Sequence, residues 1–284
     1  MQQLSNISTI REILNRYGFT FSKSLGQNFL INPSVCPRMA YESDIENEGV
    51  IEVGPGIGVL TCELAKTAKK VVSVELDKRL IPVLSETLSE FDNVKVINDD
   101  ILKIDLHELI KNEFDGMKVS ICANLPYYIT SPVIMKLLED RLDVNSITVM
   151  VQKEAGVRLC AKAGTRDCGA VTIAVRYYCE PELLFNVSAG SFLPAPKVDS
   201  CVIKLNIHKS PIVDVTDEKM FFKVVKASFC QRRKTLPNTL SSGLSMPKAD
   251  IIDVLNNVNI PTTYRAEQLT MENFASIANE LSKK

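Results

Sequence analysis

Asn124, Leu125, Pro126 and Tyr127 stand in a row behind the apolar run KVSICA, and together they hold a specific set of chemical groups. The side-chain oxygen of Asn124 and the main-chain oxygen of Leu125 are two acceptors one residue apart. Such a pair suits a reluctant nucleophile with two N–H donors, the exocyclic amine of adenine, whose lone pair is delocalised into the ring. By accepting one N–H each, the oxygens pull the nitrogen towards tetrahedral geometry and free its lone pair for in-line attack on an electrophilic methyl carbon. Neither a histidine nor a metal is then required. Pro126 restrains Leu125 to extended backbone and so presets the direction of its carbonyl. Tyr127 offers a ring for base stacking, a contact worth ~1–3 kcal/mol, and Phe192 in SFLPAPK can cover the opposite face of the base.

A second motif, IEVGPGIGVLT, places Gly54, Gly56 and Gly58 between a strand-like run and a helical one, where side chains would keep a ligand from the backbone. Val59 stands where a dinucleotide fingerprint has its third glycine, so the pattern is G-x-G-x-G and favours a cofactor without a pyrophosphate. Glu75 ends the next strand-like run and can accept hydrogen bonds from both hydroxyls of a ribose. Asp100, in NDDIL after the third run, is placed to take a donor from an adenine amine.

These groups need a scaffold that aims them at one point. From Gly49 onward, short β-branched runs alternate with helical periodicity: GVIEVG, VLTCELAKTA, KKVVSVELD, RLIPVLSETL, NVKVIND, KVSICANL, SPVIMKLLED and SITVMVQ. That alternation implies an α/β fold with a parallel sheet covered on both faces, and ligands beyond the carboxyl ends of its strands. AVTIAVRYY and CVIKLNI read as strands that extend the sheet. Between them lies a Pro-rich turn, SFLPAPKVDS, where Pro194 and Pro196 preclude regular structure. After NIHKSPIVDVTDEK only helical patterns remain, with Pro247 near a helix start, so a domain boundary is expected near residue 208, dividing 1–207 from 208–284. At the other end, Thr9 and Glu12 read as a capping box that opens a short helix.

With 33 basic and 34 acidic residues the formal charge is -1, so any polyanionic partner must be met by local patches. Two candidates appear: Lys223, Lys226, Arg232, Arg233 and Lys234 fall in a stretch without acidic residues, and Lys153, Arg158, Lys162 and Arg166 follow the NLPY segment. Glu42, Asp44, Glu46, Glu48 and Glu52 form an acidic counterweight. The eight cysteines never form C-x-x-C and are expected as buried, reduced thiols. His107 and His208, the two histidines, lie far from any cysteine pair, which disfavours both a metal site and a histidine-based hydrolase. There is no secretory pattern and no run approaching a membrane span, so a cytoplasmic protein is expected.

The chain resembles the ribosomal RNA small-subunit adenine dimethyltransferases, the family of the bacterial kasugamycin-sensitivity methyltransferase. The likeness rests on SLGQNFL at 24–30, IEVGPGIGVLT at 51–61, VELDKRL at 74–80, NDDIL at 98–102, NLPYYITSP at 124–132, VQKE at 151–154, SFLPAPKVDS at 191–200 and ASFCQRRKTLPNTL at 227–240. The resemblance implies a Rossmann-like class I S-adenosylmethionine-dependent methyltransferase domain with a small α-helical C-terminal domain. It further implies dimethylation of two adjacent adenosines in the 3′-terminal hairpin of small-subunit (16S) rRNA during ribosome assembly. Cofactor contacts are implied at Asn28, Leu30, Gly54, Glu75, Asp100 and Asn124, with Gln27 a further contact. The expected partner is small-subunit rRNA in an assembling subunit; a monomer is expected, without membrane or metal. Cys168 departs from the family pattern, where an aromatic residue often precedes the glycine.

Two other readings stay open at this level. The macrolide-resistance methyltransferases share the SLGQNFL-like and G-x-G-x-G features but act on large-subunit RNA. A ribosome-assembly factor can also keep the fold without the chemistry, although a pure RNA binder has no use for the Asn124 to Tyr127 loop.

Overall fold

The computed structural model describes residues 4–19 and 26–283, so Ser24 and Leu25 of SLGQNFL lie outside the described residues. The described chain divides into two compact units, residues 1–156 with 182–207 and residues 157–181 with 208–284. Residues 157–181, which a boundary at 208 leaves with the sheet, cluster with the C-terminal helices.

Along the chain run α1 (Ile7–Arg16), β1 (Phe29–Leu30), α2 (Val35–Glu42), β2 (Gly49–Val53), α3 (Val59–Thr67), β3 (Lys70–Glu75), α4 (Ile81–Thr87), β4 (Val94–Asn98), α5 (Leu106–Phe114), β5 (Val119–Asn124), α6 (Thr130–Glu139) and β6 (Ser146–Gln152). These are followed by α7 (Lys153–Cys160), α8 (Ala170–Tyr178), β7 (Cys179–Val187), β8 (Phe192–Leu193), β9 (Ser200–Ile207), α9 (Glu218–Phe229), α10 (Leu236–Leu244), α11 (Lys248–Asn257) and α12 (Met271–Leu281).

Seven strands form one sheet in the order β4-β3-β2-β5-β6-β9-β7. Strands β4, β3, β2, β5 and β6 are parallel neighbours, and β9 pairs antiparallel with β6. β2, an interior strand between β3 and β5, is buried along its whole length, as helix cover on both faces requires. One apolar cluster gathers Met39, Val50, Leu64, Val71, Cys122 and Met150; a second gathers Ile10, Ile13, Ile57, Leu80, Val83 and Leu84. The edge strand β4 departs from the expected full cover, with Val94, Val96 and Ile97 only half-buried. A separate two-stranded ladder pairs β1 with β8, Leu30 opposite Phe192. The Pro-rich turn therefore begins at Pro194, three residues later than expected, after a short strand.

AVTIAVRYY is helix α8 and not a strand. Gly169 caps it, with its N–H donating to the Thr172 hydroxyl at 3.0 Å. An apolar run buried nearly throughout carries no periodicity that separates helix from strand, and its β-branched residues favour the wrong choice. The new strand begins only at Cys179. At the N-terminus, α1 is opened by Asn6, whose side chain accepts the Ser8 N–H at 2.9 Å, and not by a box at Thr9 and Glu12; Glu12 pairs with Arg16 instead. Pro247 does cap a helix start, that of α11.

In the second unit Phe221, Leu236, Leu240, Ile251, Leu255 and Phe274 are fully buried among α9 to α12. Tyr177 of α8 joins this core, its ring 5.0 Å from that of Phe221. All eight cysteines are free thiols; six are buried as expected, whereas Cys160 is half-buried and Cys230, at the C-terminal cap of α9, is exposed. Among the described residues no helix is long and apolar enough to cross a membrane.

Gly243 lets α10 lie against α9: a Cβ there would sit 2.5 Å from Cβ and 2.7 Å from Cα of Ala227. In an exposed helix interior Gly→Ala stabilises by about 1 kcal/mol. Here overpacking reverses the sign, and Gly243→Ala is expected to destabilise the protein by about 1–3 kcal/mol, measured by urea denaturation; an unchanged or raised midpoint contradicts the packing.

Candidate active site

The carboxyl ends of β2, β3 and β5, the loop beyond β4, and the β1–β8 ladder converge on one cavity, whose empty space with its open mouth is about 1080 Å³. Asn28, Leu30, Gly54, Glu75, Asp100, Asn124, Leu125, Pro126, Tyr127 and Phe192 all line it. The structure thus brings together ten residues read from six separate stretches of sequence, and Gln27 lines the same space.

The glycine loop forms the floor. Gly54, Gly56 and Gly58 all have positive φ, at 67°, 62° and 92°, a conformation that a Cβ makes costly. At Gly56 a Cβ would also meet Phe29 at 3.1 Å, while the space over Gly54 is open. Gly58 is the N-cap of α3 and Val59 its first residue, so the loop turns directly into the helix.

Glu75 closes β3 and is buried. Its Oε2 accepts the Gly56 N–H at 3.2 Å and its Oε1 accepts the Asp77 N–H at 2.7 Å. Each carboxylate oxygen keeps further acceptor capacity for a hydroxyl donor. Burial pushes the carboxyl pKa up to about 7, opposed by those backbone N–H groups and assisted by the charge of Asp77. Asp100 lies two residues beyond β4; its Oδ1 accepts the Leu102 N–H at 3.0 Å, and Lys103 approaches Oδ2 at 3.4 Å.

Opposite them, the β5–β6 ladder ends at the Asn124–Met150 pair. The Leu125 N–H still donates to the Met150 carbonyl at 3.2 Å, so its position is held while its own carbonyl lies past the last rung. Among the described residues, no hydrogen bond engages the Asn124 carboxamide. Pro126 is extended, with φ -57° and ψ 132°, before the single turn that carries Tyr127. The Tyr127 hydroxyl lies 2.6 Å from Ser200 Oγ on β9, which tethers the ring, and Phe192 is buried in the cavity wall.

Comparison with known proteins decides what this arrangement belongs to. The family model described as ribosomal RNA adenine dimethylase matches residues 18–283. The chain belongs to the ribosomal RNA adenine dimethylase family. Among curated proteins, a ribosomal RNA small subunit methyltransferase A of Bacillus mycoides is 49% identical over 99% of this chain and 98% of its own. The protein of the same name from Bacillus anthracis shows the same identity and coverage. A dimethyladenosine transferase structure from Plasmodium falciparum superposes with TM-score 0.75 at 27% identity, covering 90% of this chain and 98% of that one. The structure of the 23S rRNA methyltransferase ErmE follows with TM-score 0.69 at 25% identity, covering 90% and 100%. This dimethylase family member is therefore a methyltransferase with the α/β class I fold.

In this dimethylase the surface patches differ from their expected form. Lys223, Lys226, Arg233 and Lys234 are exposed, and among the described residues no ion pair holds them. Arg232 is engaged within its own unit, donating to the Arg166 carbonyl at 2.7 Å and lying 3.9 Å from Glu267. Lys219, which the sequence reading passed over, joins Lys223 and Lys226 on one exposed face of α9, as their i, i+4, i+7 spacing signals. Cys168, the departure from the family pattern, is buried in the second unit.

Glu52 is the main misreading. It was grouped with surface acids, yet it lies buried in β2, lines the cavity, and accepts from Thr61 Oγ1 and Ser73 Oγ, both at 2.7 Å. Burial raises its pKa from 4.5 to about 7, against the two hydroxyl donors and with the help of Glu75. The folded protein keeps a proton that the unfolded chain has released, so this group's contribution is full below pH 4.5 and is lost as pH rises to about 7. Glu52→Gln keeps the acceptor oxygen and removes the titration. Relative to wild type, the variant should gain about 3 kcal/mol on going from pH 4.5 to pH 8, read by denaturation at both pH values. A constant difference between the two proteins contradicts a buried, titrating Glu52.

Proposed function

We propose that the protein transfers methyl groups from S-adenosylmethionine to the exocyclic amines of two adjacent adenosines near the 3′ end of small-subunit rRNA, forming dimethyladenosine. The observation that carries this reading is the Asn124 to Tyr127 loop, its carboxamide unengaged, lining one cavity with Gly54, Glu75 and Asp100.

The residues fit the cofactor. Open space above Gly54 lets a ligand approach the backbone, and Glu75 presents two buried oxygens with spare acceptor capacity. Asn28, Leu30, Gly54, Glu75, Asp100 and Asn124 would hold it: Glu75 by the ribose hydroxyls, Asp100 by the adenine amine. When bound, it supplies an electrophilic methyl on a sulfonium centre.

The protein's own task is to prepare the nucleophile. Asn124 Oδ1 and the Leu125 carbonyl each accept one amine N–H, so the nitrogen lone pair turns out of conjugation. Pro126 fixes the Leu125 carbonyl, and Tyr127 and Phe192 hold the base between them. After the first transfer the amine retains one N–H, so one of the two oxygens suffices to orient it for the second. The target adenines must be unpaired or extruded to enter.

Lys223, Lys226, Arg233 and Lys234 bind phosphates, with Lys219 extending the row and Arg232 also bracing its own unit. The substrate is assigned to the small subunit because relatives of that name are 49% identical over nearly the whole chain, against 25% for the 23S rRNA methyltransferase structure.

Incubating unmodified small or large subunits with protein and S-adenosylmethionine, then analysing nucleosides by mass spectrometry, should give dimethyladenosine from the small subunit alone. Product from the large subunit alone overturns the assignment. Asn124→Ala is expected to lower transfer by about 10²–10³-fold and to leave RNA affinity unchanged. RNA affinity should fall with salt, with a logarithmic slope of about -0.7 per phosphate neutralised on single strands; a flat response removes the basic face from the account.

A further inference from the structure

Asp77 touches neither the cavity nor anything expected to enter it, yet it holds two of the cavity's walls together. The residue is buried, and its carboxylate is engaged by Gln27 and Arg79 of the protein itself. Oδ2 accepts from Gln27 Nε2 at 2.9 Å and from the Arg79 guanidinium at 2.6 Å. Oδ1 accepts from the Arg79 Nε at 2.9 Å and the Arg79 N–H at 3.1 Å. Arg79 in turn lies over the Phe19 ring, 4.8 Å from its centroid. Phe19 and Gln27, on either side of residues 20–25, are thus both joined to the same two-residue unit at the exit of β3.

On its main-chain side the same residue supplies the 2.7 Å hydrogen bond that orients Glu75 Oε1. Leu76, between them, lines the cavity beside Glu75 and is 51% exposed, whereas Asp77 is buried outside the cavity lining. Gln27 precedes Asn28 and Leu30, and Leu30 is locked by pairing with Phe192. A shift of the Gln27 wall therefore moves a group of residues that lines the same cavity as Glu75.

We infer that Asp77 is a positioning residue: through Gln27 and Arg79 it couples the ribose grip of Glu75 to the N-terminal wall that carries Asn28, and so sets cofactor affinity without touching cofactor. The inference rests on the cofactor reading above. It also revises the role of Gln27, whose amide nitrogen is committed to Asp77.

The test is calorimetric binding of S-adenosylmethionine to wild type, Asp77→Asn, Gln27→Met and the double variant, with kcat at saturating cofactor measured alongside. Asp77→Asn puts an amide N–H against the donors of Gln27 and Arg79 without changing shape. Loss of a charge-assisted hydrogen bond should raise the cofactor Kd by about tenfold in each single variant. The double variant should be little worse than either in Kd, and kcat should hold in Asp77→Asn, whose residue lies outside the cavity lining. Amide hydrogen exchange at residues 27–30 should quicken in both singles. Fully additive effects, or unchanged Kd in both singles, overturn the inference while leaving the cofactor reading intact. A fall in kcat at constant Kd also overturns it. If Asp77→Asn fails to fold, Gln27→Met decides by the same Kd and exchange readouts. Absence of binding by wild type overturns the cofactor reading itself.

Discussion

At the tip of β5 the chain is held firmly and left chemically open. The Leu125 N–H remains in the sheet through Met150, while the next carbonyl and the preceding carboxamide are released from the ladder. A strand end is the natural place for this, since a parallel sheet keeps its strands rigid up to the last rung and leaves unpaired acceptors beyond it. Two such oxygens, aimed by Pro126, are what a delocalised amine needs, and the rest of the first unit keeps them in register with a methyl donor.

That requirement explains the acids around the cavity. Glu75 and Glu52 are both buried and both have pKa values raised to about 7, yet their surroundings assign them different work. Glu75 accepts one backbone N–H at each oxygen and faces open space, which suits hydroxyl donors from a ligand. Glu52 spends its Oε2 on Thr61 and Ser73 beneath the glycine loop, where it braces β2 against β3 and α3. Burial raises both values; the charge of Glu75 adds to the rise at Glu52, and that of Asp77 to the rise at Glu75.

The Asn124 loop, the glycine loop, Glu75 and Asp100 were legible because each is a short linear pattern whose residue types have one good chemical use at a strand end. Asn28 and Leu30 were legible only through resemblance: what places them is pairing with Phe192 and Leu193, far along the chain. Glu52 was misread because a strand covered on both faces shows no alternation to mark an inward carboxylate. The α8 segment was misread for a related reason, since an almost wholly buried helix rich in β-branched residues presents the composition of a strand. Asp77 gave no signal, because its meaning lies in Gln27, Phe19 and Glu75, which only the fold assembles.

The most direct measurement is a structure of the protein with adenosine monophosphate and an unreactive amine analogue of the sulfonium donor. The account predicts the adenine amine nitrogen within ~2.7–3.2 Å of both Asn124 Oδ1 and the Leu125 carbonyl oxygen, with the base stacked on Tyr127. An amine bound elsewhere in the cavity, with those two oxygens turned away from it, would contradict the account at its centre.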